Sequence, residues 1–323
     1  MRIVSAADVD AHLNFPDLID ALDAAFANPP IQPVRHHHTI EGAQGTNNTL
    51  LLMPAWHDMK YGDVNDAYLG VKIVTVAPDN GQKSLPAVMG TYLLMRAATG
   101  EVLAAIDGQR LTVWRTAAAS ALAARYLARP NSAVLAMMGA GALAPFLVKA
   151  HASVRPIKKV IIWNRSRSAA TRLAAELSRD GFETSVTLDA DEAVAQGDIV
   201  SAATLSTIPI IRGAVIKSGA HIDLVGAFTP LMRETDDQAV SRAEVYVDTR
   251  AGALKEGGDL VQAIASGAFS ANLVRGELSE LAQKTISFER SANSVTLFKS
   301  VGAALEDLAA ATLLWNSIQD AGQ

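Results

Sequence analysis

Residues 134–144, Val134-Leu-Ala-Met-Met-Gly139-Ala140-Gly141-Ala142-Leu143-Ala144, join an apolar, strand-like run to a glycine turn and then to a helix-like stretch. That succession marks the opening of a βαβ unit that holds a dinucleotide. Gly139 permits the tight turn, Gly141 lets backbone amides approach a pyrophosphate, and small Ala144 lets the helix pack closely on the strand. The helix N-terminus then favours phosphate charge. A G-x-G-x-x-A spacing arises by chance in an alanine-rich chain, so its weight depends on the next elements of the chain. A second apolar run, Val160 to Trp163, comes after a helix-length interval and ends at Asn164-Arg165-Ser166-Arg167, where such a unit reads the ribose. A carboxylate there would bind the 2′-hydroxyl and repel a 2′-phosphate. This segment offers donors and positive charge instead, which predicts NADP(H) in preference to NAD(H); a solvated basic turn is the alternative.

Half of the 323 residues are apolar, enough for a sizeable core in two domains or one large one. Lys and Arg total 28 against 33 for Asp and Glu, a formal charge of -5, so there is no overall basic field for nucleic acid or an anionic membrane. The absence of cysteine excludes disulfides, thiolate metal sites and cysteine nucleophiles, and fits a reducing compartment. Asp8 and Asp10 stand where a signal peptide needs an apolar stretch. The longest apolar region, around 133–148, is interrupted by Gly139, Gly141 and Pro145 and falls short of the roughly 20 residues a membrane helix needs. A soluble, cytoplasmic protein is expected.

Helical spacing of Leu18, Ile19, Leu22, Ala25 and Phe26 predicts an N-terminal helix that Pro29-Pro30 stop. Strand-like runs follow at 49–53, 68–76, 87–95 and 102–106, separated by turn clusters, and suggest a mostly antiparallel sheet. An alanine-rich helix is expected over 116–127. Beyond it, strand and helix patterns alternate: helices at 169–177 and 191–195, extended runs at 184–186, 199–203, 221–225 and 245–248. This predicts an α/β fold, a Rossmann-type doubly wound parallel sheet with helices on both faces, beside a second α+β domain. Residues 300–318 read as one long helix. The change of pattern places the domain edges near 117 and 293.

A nucleotide site calls for a substrate site, and the candidates are three cations set among apolar residues: Arg35, Lys72 and Arg115. Lys72 lies in a strand-like run, where a buried charge needs a partner; an edge-strand lysine with a solvated head is the other reading. Arg115 stands at the expected mouth of a helix, which disfavours a cation and points either to an anionic ligand or to a nearby carboxylate. His36, His37 and His38 alternate across a strand and cannot converge on a metal, so no metal is expected. Neither H-E-x-x-H, G-x-S-x-G nor G-x-x-x-x-G-K-[ST] occurs, which leaves hydride transfer as the natural chemistry.

Eight segments together resemble the ornithine cyclodeaminase and mu-crystallin family, in that family's order: Gln32-Pro33-Val34-Arg35, Gly70-Val71-Lys72, Arg115-Thr116-Ala117-Ala118, Gly139-Ala140-Gly141-Ala142, Ile162-Trp163-Asn164-Arg165, Gly219-Ala220-His221-Ile222, Lys255-Glu256-Gly257-Gly258-Asp259 and Phe298-Lys299-Ser300-Val301-Gly302. The resemblance implies a substrate-binding and dimerisation domain, 1–117 with 294–323, and a dinucleotide-binding domain over 118–293. It implies that Arg35, Lys72 and Arg115 are the carboxylate-binding and catalytic cations. It also implies that Thr204, Leu205, Val225, Gly226 and Lys299 line the cofactor, and that Gly302 lets the tail pass close to the nicotinamide.

One departure discriminates among the family's activities. Cyclodeaminases place an aspartate where this chain has Phe228, and phenylalanine can neither accept a proton nor pair with the side-chain amine of ornithine. Members lacking it, among them ketimine reductases, pyrroline-2-carboxylate reductases and some alanine dehydrogenases, reduce a C=N bond beside a carboxylate. The resemblance therefore implies a homodimeric reductase of a small cyclic imino acid, Δ1-pyrroline-2-carboxylate foremost and Δ1-piperideine-2-carboxylate also. Alanine dehydrogenase, ornithine cyclodeaminase and a non-catalytic binding protein are the alternatives.

Overall fold

A computed structural model describes residues 1–42, 47–60, 67–83, 85–86 and 88–321. The chain forms two compact units, one of Met1–Arg115 with Ala303–Gln323 and one of Thr116–Gly302. Among the described residues no helix is long and apolar enough to cross a membrane.

In the first unit, β1 (Arg2–Val4), α1 (Ala6–His12) and α2 (Phe15–Ala27) precede β2 (His36–Ile40), β3 (Asn48–Trp56), β4 (Tyr68–Val76), β5 (Val88–Arg96) and β6 (Val102–Asp107). The strands form one sheet in the order β1-β6-β5-β4-β3-β2, antiparallel except where β1 runs parallel to β6. Ala87, the expected start of the third strand, lies outside the described residues. α2 buries Phe15, Leu18, Ile19, Leu22 and Phe26, the stripe its spacing predicts.

α3 (Gly108–Leu127) begins eight residues before the alanine-rich run that announces it, and the border between the units falls within it. Its start is fixed by Asp107, whose Oδ1 accepts the Arg110 amide at 2.8 Å, a capping bond that outweighs the poor helix propensity of the Thr112-Val113-Trp114 stretch.

The second unit contains β7 (Val134–Met138), α4 (Ala144–Val154), β8 (Lys159–Trp163), α5 (Arg167–Arg179), β9 (Glu183–Thr187), α6 (Ala190–Gln196), β10 (Ile199–Ala202), β11 (His221–Leu224), α7 (Asp237–Arg242), β12 (Glu244–Val247), α8 (Arg250–Glu256), α9 (Gly258–Ala265), β13 (Gly276–Glu277), α10 (Leu278–Ala282) and β14 (Thr296–Lys299). All eight strands run parallel, in the order β13-β12-β14-β11-β10-β7-β8-β9. This is a Rossmann-type sheet, and its order reverses between β7 and β10.

The expected return to the first unit at 294 is corrected to Ala303. β14 is an interior strand, paired with β11 on one side and β12 on the other, so residues up to Gly302 belong with this sheet. The final helix, α11 (Ala304–Asp320), accordingly begins later than the predicted 300; it packs in the first unit against α2 and the middle strands β3, β4 and β5.

Gly70 shows how tightly that first sheet is packed. Tyr92, on the neighbouring strand, lies over it, and a Cβ at position 70 would come within 1.8 Å of the phenol oxygen. Gly70→Ala should therefore lower the unfolding free energy by about 1–3 kcal/mol. Urea denaturation measures this, and an unchanged midpoint would place Tyr92 elsewhere.

Candidate active site

Lys72 sits on the buried face of β4, with Tyr68, Gly70 and Val74. β4 is an interior strand and Lys72 is only 2% exposed, which rules out the solvated edge-strand reading. Its Nζ lies 2.9 Å from Oδ1 and 2.8 Å from Oδ2 of Asp307 on α11. Arg115 falls in the middle of α3 rather than at its mouth, so the helix dipole has no bearing on it. Its Nη1 donates to Glu306 Oε2 at 2.7 Å, and its Nε lies 3.0 Å from Asp307 Oδ1. Asp307 thus lies between a lysine and an arginine, and Glu306 takes the guanidinium's other side.

Gln32 brings the third cation toward this group. Its Oε1 accepts the Leu305 amide at 3.0 Å, tying the Gln32-Pro33-Val34-Arg35 segment to the first turn of α11, beside both acids. Arg35 is half-buried. Burial foremost, then the Arg115 charge, draws the Lys72 ammonium down to about 8; Asp307 opposes the shift and the Arg35 charge adds to it. The three expected cations are therefore brought together. Glu306 and Asp307 are the acids that hold Lys72 and Arg115 within this group.

In the second unit, Gly139 follows β7 with φ 117°, a conformation only glycine adopts readily. Its amide donates to the Trp163 carbonyl at 2.8 Å, and a Cβ there would come within 3.1 Å of the Ala203 carbonyl oxygen. A Cβ on Gly141, by contrast, would meet nothing within 4 Å. Gly141 and Ala142 are exposed, Ala140 and Leu143 half-buried, while Ala144 packs fully inside. The first turn of α4 carries no acid and no side-chain cap. Open space before uncapped amides at a helix start fits a pyrophosphate, which the backbone of residues 140–143 would hold.

Asn164 stands at the end of β8, its Nδ2 donating to the Ser166 carbonyl at 3.0 Å, and Arg165, Ser166 and Arg167 are exposed. Thr204 and Leu205 follow β10, and Leu205 is 67% exposed. Val225 and Gly226 follow β11 and are buried, with half-buried Phe228 two residues on. Gly302 has φ 82° and donates its amide to Asp248 Oδ2 at 2.7 Å.

Lys299 requires a correction. Its side chain is fully buried and its Nζ lies 3.0 Å from Asp259 Oδ2, so it serves the interior of the unit rather than the lining of a cleft. β14 is buried along its length, and a charge there demands a buried partner.

A profile of the ornithine cyclodeaminase/mu-crystallin family matches residues 1–322. The chain belongs to this family. It is 37% identical to the Delta(1)-pyrroline-2-carboxylate reductase of Colwellia psychrerythraea, over 99% of this chain and 100% of that one. It is 36% identical to the ketimine reductase mu-crystallin of Rattus norvegicus, over 97% and 96%. Among solved structures it is similar to the Delta(1)-pyrroline-2-carboxylate reductase of Thermococcus litoralis in complex with NADH and L-proline, with a TM-score of 0.92, 30% identity, and coverage of 100% of this chain and 98% of that one.

The family motifs now have local causes. Gly70 makes room for Tyr92, and Gln32 caps the helix that carries the acids. Glu306 and Asp307 escape a reading based on cations alone; their signal is two adjacent acids inside the apolar run Ala303-Ala304-Leu305…Leu308. Both are fully buried. Asp307→Asn should cost about 3–5 kcal/mol of stability, because it leaves Lys72 and Arg115 buried with one carboxylate between them. Chemical denaturation with calorimetry provides the check; a loss below about 1 kcal/mol would mean that these charges are solvated.

Proposed function

We propose that the protein reduces a cyclic α-imino acid, Δ1-pyrroline-2-carboxylate, to L-proline, using NADPH in preference to NADH. The observation that carries this reading is the cation group of the first unit, in which Lys72 and Arg115 are buried and held by Asp307 and Glu306, with Arg35 close enough to act on Lys72. Such a group suits a small molecule bearing one carboxylate, and burial strengthens the attraction. The similarity to reductases of this substrate class supports it.

Arg115 and Arg35 grip the carboxylate through charge-assisted hydrogen bonds. Arg115 is already held by Glu306 at Nη1 and Asp307 at Nε, which fixes the guanidinium plane before the substrate arrives. When bound, the reduced nicotinamide supplies a hydride, which the ring carbon beside the carboxylate accepts as the imine nitrogen takes one proton. Protonated Lys72 provides that proton, and Asp307, on its ammonium, holds it in place. Phe228, in the position where cyclodeaminases carry an aspartate, leaves nothing there to receive a side-chain amine. Asn164, Arg165, Ser166 and Arg167 present donors and two guanidiniums to a 2′-phosphate. In the same reading the protein is cytoplasmic and the first unit also joins two copies into a homodimer.

The direct test monitors NADPH and NADH oxidation by absorbance with pyrroline-2-carboxylate, piperideine-2-carboxylate, and pyruvate plus ammonia side by side. Fastest turnover is expected with the five-membered imine and NADPH. No turnover with either ring would defeat the proposal, and equal affinity for the two nucleotides would defeat the cofactor preference. Because Lys72 titrates at about 8, kcat/KM should decline above that pH as the proton source is lost. Lys72→Met should reduce kcat about 100-fold and remove the alkaline limb. Wild-type turnover in that variant would take the proton role away from Lys72.

A further inference from the structure

Glu234 is fully buried, and nothing in its sequence surroundings announces it. Its Oε1 accepts the Thr204 amide at 2.6 Å and the Thr204 hydroxyl at 2.8 Å, and its Oε2 accepts the Gly226 amide at 3.0 Å. One carboxylate therefore bridges the segments leaving β10 and β11. The fit is close: a Cβ on Gly226 would lie 2.2 Å from Glu234 Oε1.

The bridge is itself anchored. Asp259, near the start of α9, accepts the amides of Glu234 and Thr235 at 2.7 and 2.8 Å, and Lys299 at the end of β14 supports Asp259 at 3.0 Å. Gly258, beside Asp259, would clash through a Cβ 1.9 Å from the Met232 carbonyl oxygen. The Gly257-Gly258-Asp259 and Lys299 motifs thus act on one loop. In a sheet of this order the pyrophosphate lies at the first turn, after β7, and the adenine ribose beyond β8. The other half of the dinucleotide extends past the reversal, over the ends of β10 and β11.

We propose that Glu234 is a positioning residue that ties the ends of β10 and β11 into the shape receiving the nicotinamide half of the dinucleotide. The proposal rests on the reading that the protein binds such a nucleotide. Burial foremost raises the Glu234 carboxyl to about 7, with Lys299 opposing and Asp259 adding to the rise. These are the charged groups that face it, from β14 and α9. Protonation converts one acceptor oxygen into a donor that faces donors, which loosens the bridge near neutral pH.

Glu234→Gln keeps the shape and sets an amide donor against the Gly226 or Thr204 amide. In the nucleotide-free protein, hydrogen exchange at Thr204 and Gly226 should quicken about tenfold. NADH affinity, read by fluorescence titration, should fall about tenfold, while affinity for ADP-ribose, which lacks the nicotinamide, stays at the wild-type value. Unchanged exchange and NADH binding, or an equal loss for both ligands, would overturn the proposal. If the variant does not fold, the wild-type protein is titrated from about pH 8.5 to about pH 5.5. A fall in NADH affinity alone below about 7 supports the proposal, and parallel curves for the two ligands overturn it. Wild-type protein that binds neither ligand, nor NADPH, removes the nucleotide reading and this inference together, whereas wild-type binding of both with an indifferent variant removes this inference alone.

Discussion

The first unit depends on Asp307, a carboxylate fully enclosed between the ammonium of Lys72 and the guanidinium of Arg115. None of the three could be buried alone, because an unpaired charge in such surroundings costs several kcal/mol. Their mutual presence makes the arrangement stable, and it sets a condition on the fold. The last helix must reach back across 235 residues in sequence to complete a cluster begun on β4. α11 is therefore a structural requirement of the sheet and the source of both acids in the buried charge cluster. The pairing fixes the orientation of Arg115, and Arg35, on the segment that Gln32 ties to α11, adds a third cation near Lys72.

The second unit solves a related problem with the opposite sign. There the buried carboxylates Glu234 and Asp259 share one lysine, Lys299, and most of their lone pairs are met by backbone and hydroxyl donors from the loop ends they organise. Charge in the first unit joins a helix to a sheet; charge in the second shapes the backbone. The parallel sheet makes the second device useful, because every strand ends on the same side and the order reverses between β7 and β10. Steric limits agree with this division. Gly139, Gly226 and Gly258 each stand where a Cβ would strike backbone or the Glu234 carboxylate, whereas Gly141 opens onto empty space.

Local signals carried much of this architecture. The turn at Gly139 and the ends of β7, β8, β10 and β11 are written in runs of apolar residues and glycine, which obey rules acting over a few residues. Lys72 and Arg115 stand out for the same reason, as charges among apolar neighbours. The features that escaped were set by contacts distant in sequence. Arg115 pairs with Glu306 across 191 residues, so no local pattern shows that its partner is a carboxylate of the same chain. β14 is too short and too polar at its end to be recognised as a strand, and it is one only because β11 and β12 flank it. That pairing moved the border of the second unit and placed Lys299 inside it. The early start of α3 is the exception, set by a local capping bond from Asp107.

The central claim is that cations in the first unit hold an α-imino carboxylate while hydride is delivered to the carbon beside it. The most direct measurement traces the isotope. Reduced nucleotide carrying deuterium at nicotinamide C4, prepared in both stereochemical forms, is incubated with Δ1-pyrroline-2-carboxylate and the protein, and the product is examined by proton NMR and mass spectrometry. The account predicts L-proline with deuterium at its α-carbon from one of the two forms. Proline without α-deuterium from either form, or no proline at all, would contradict it.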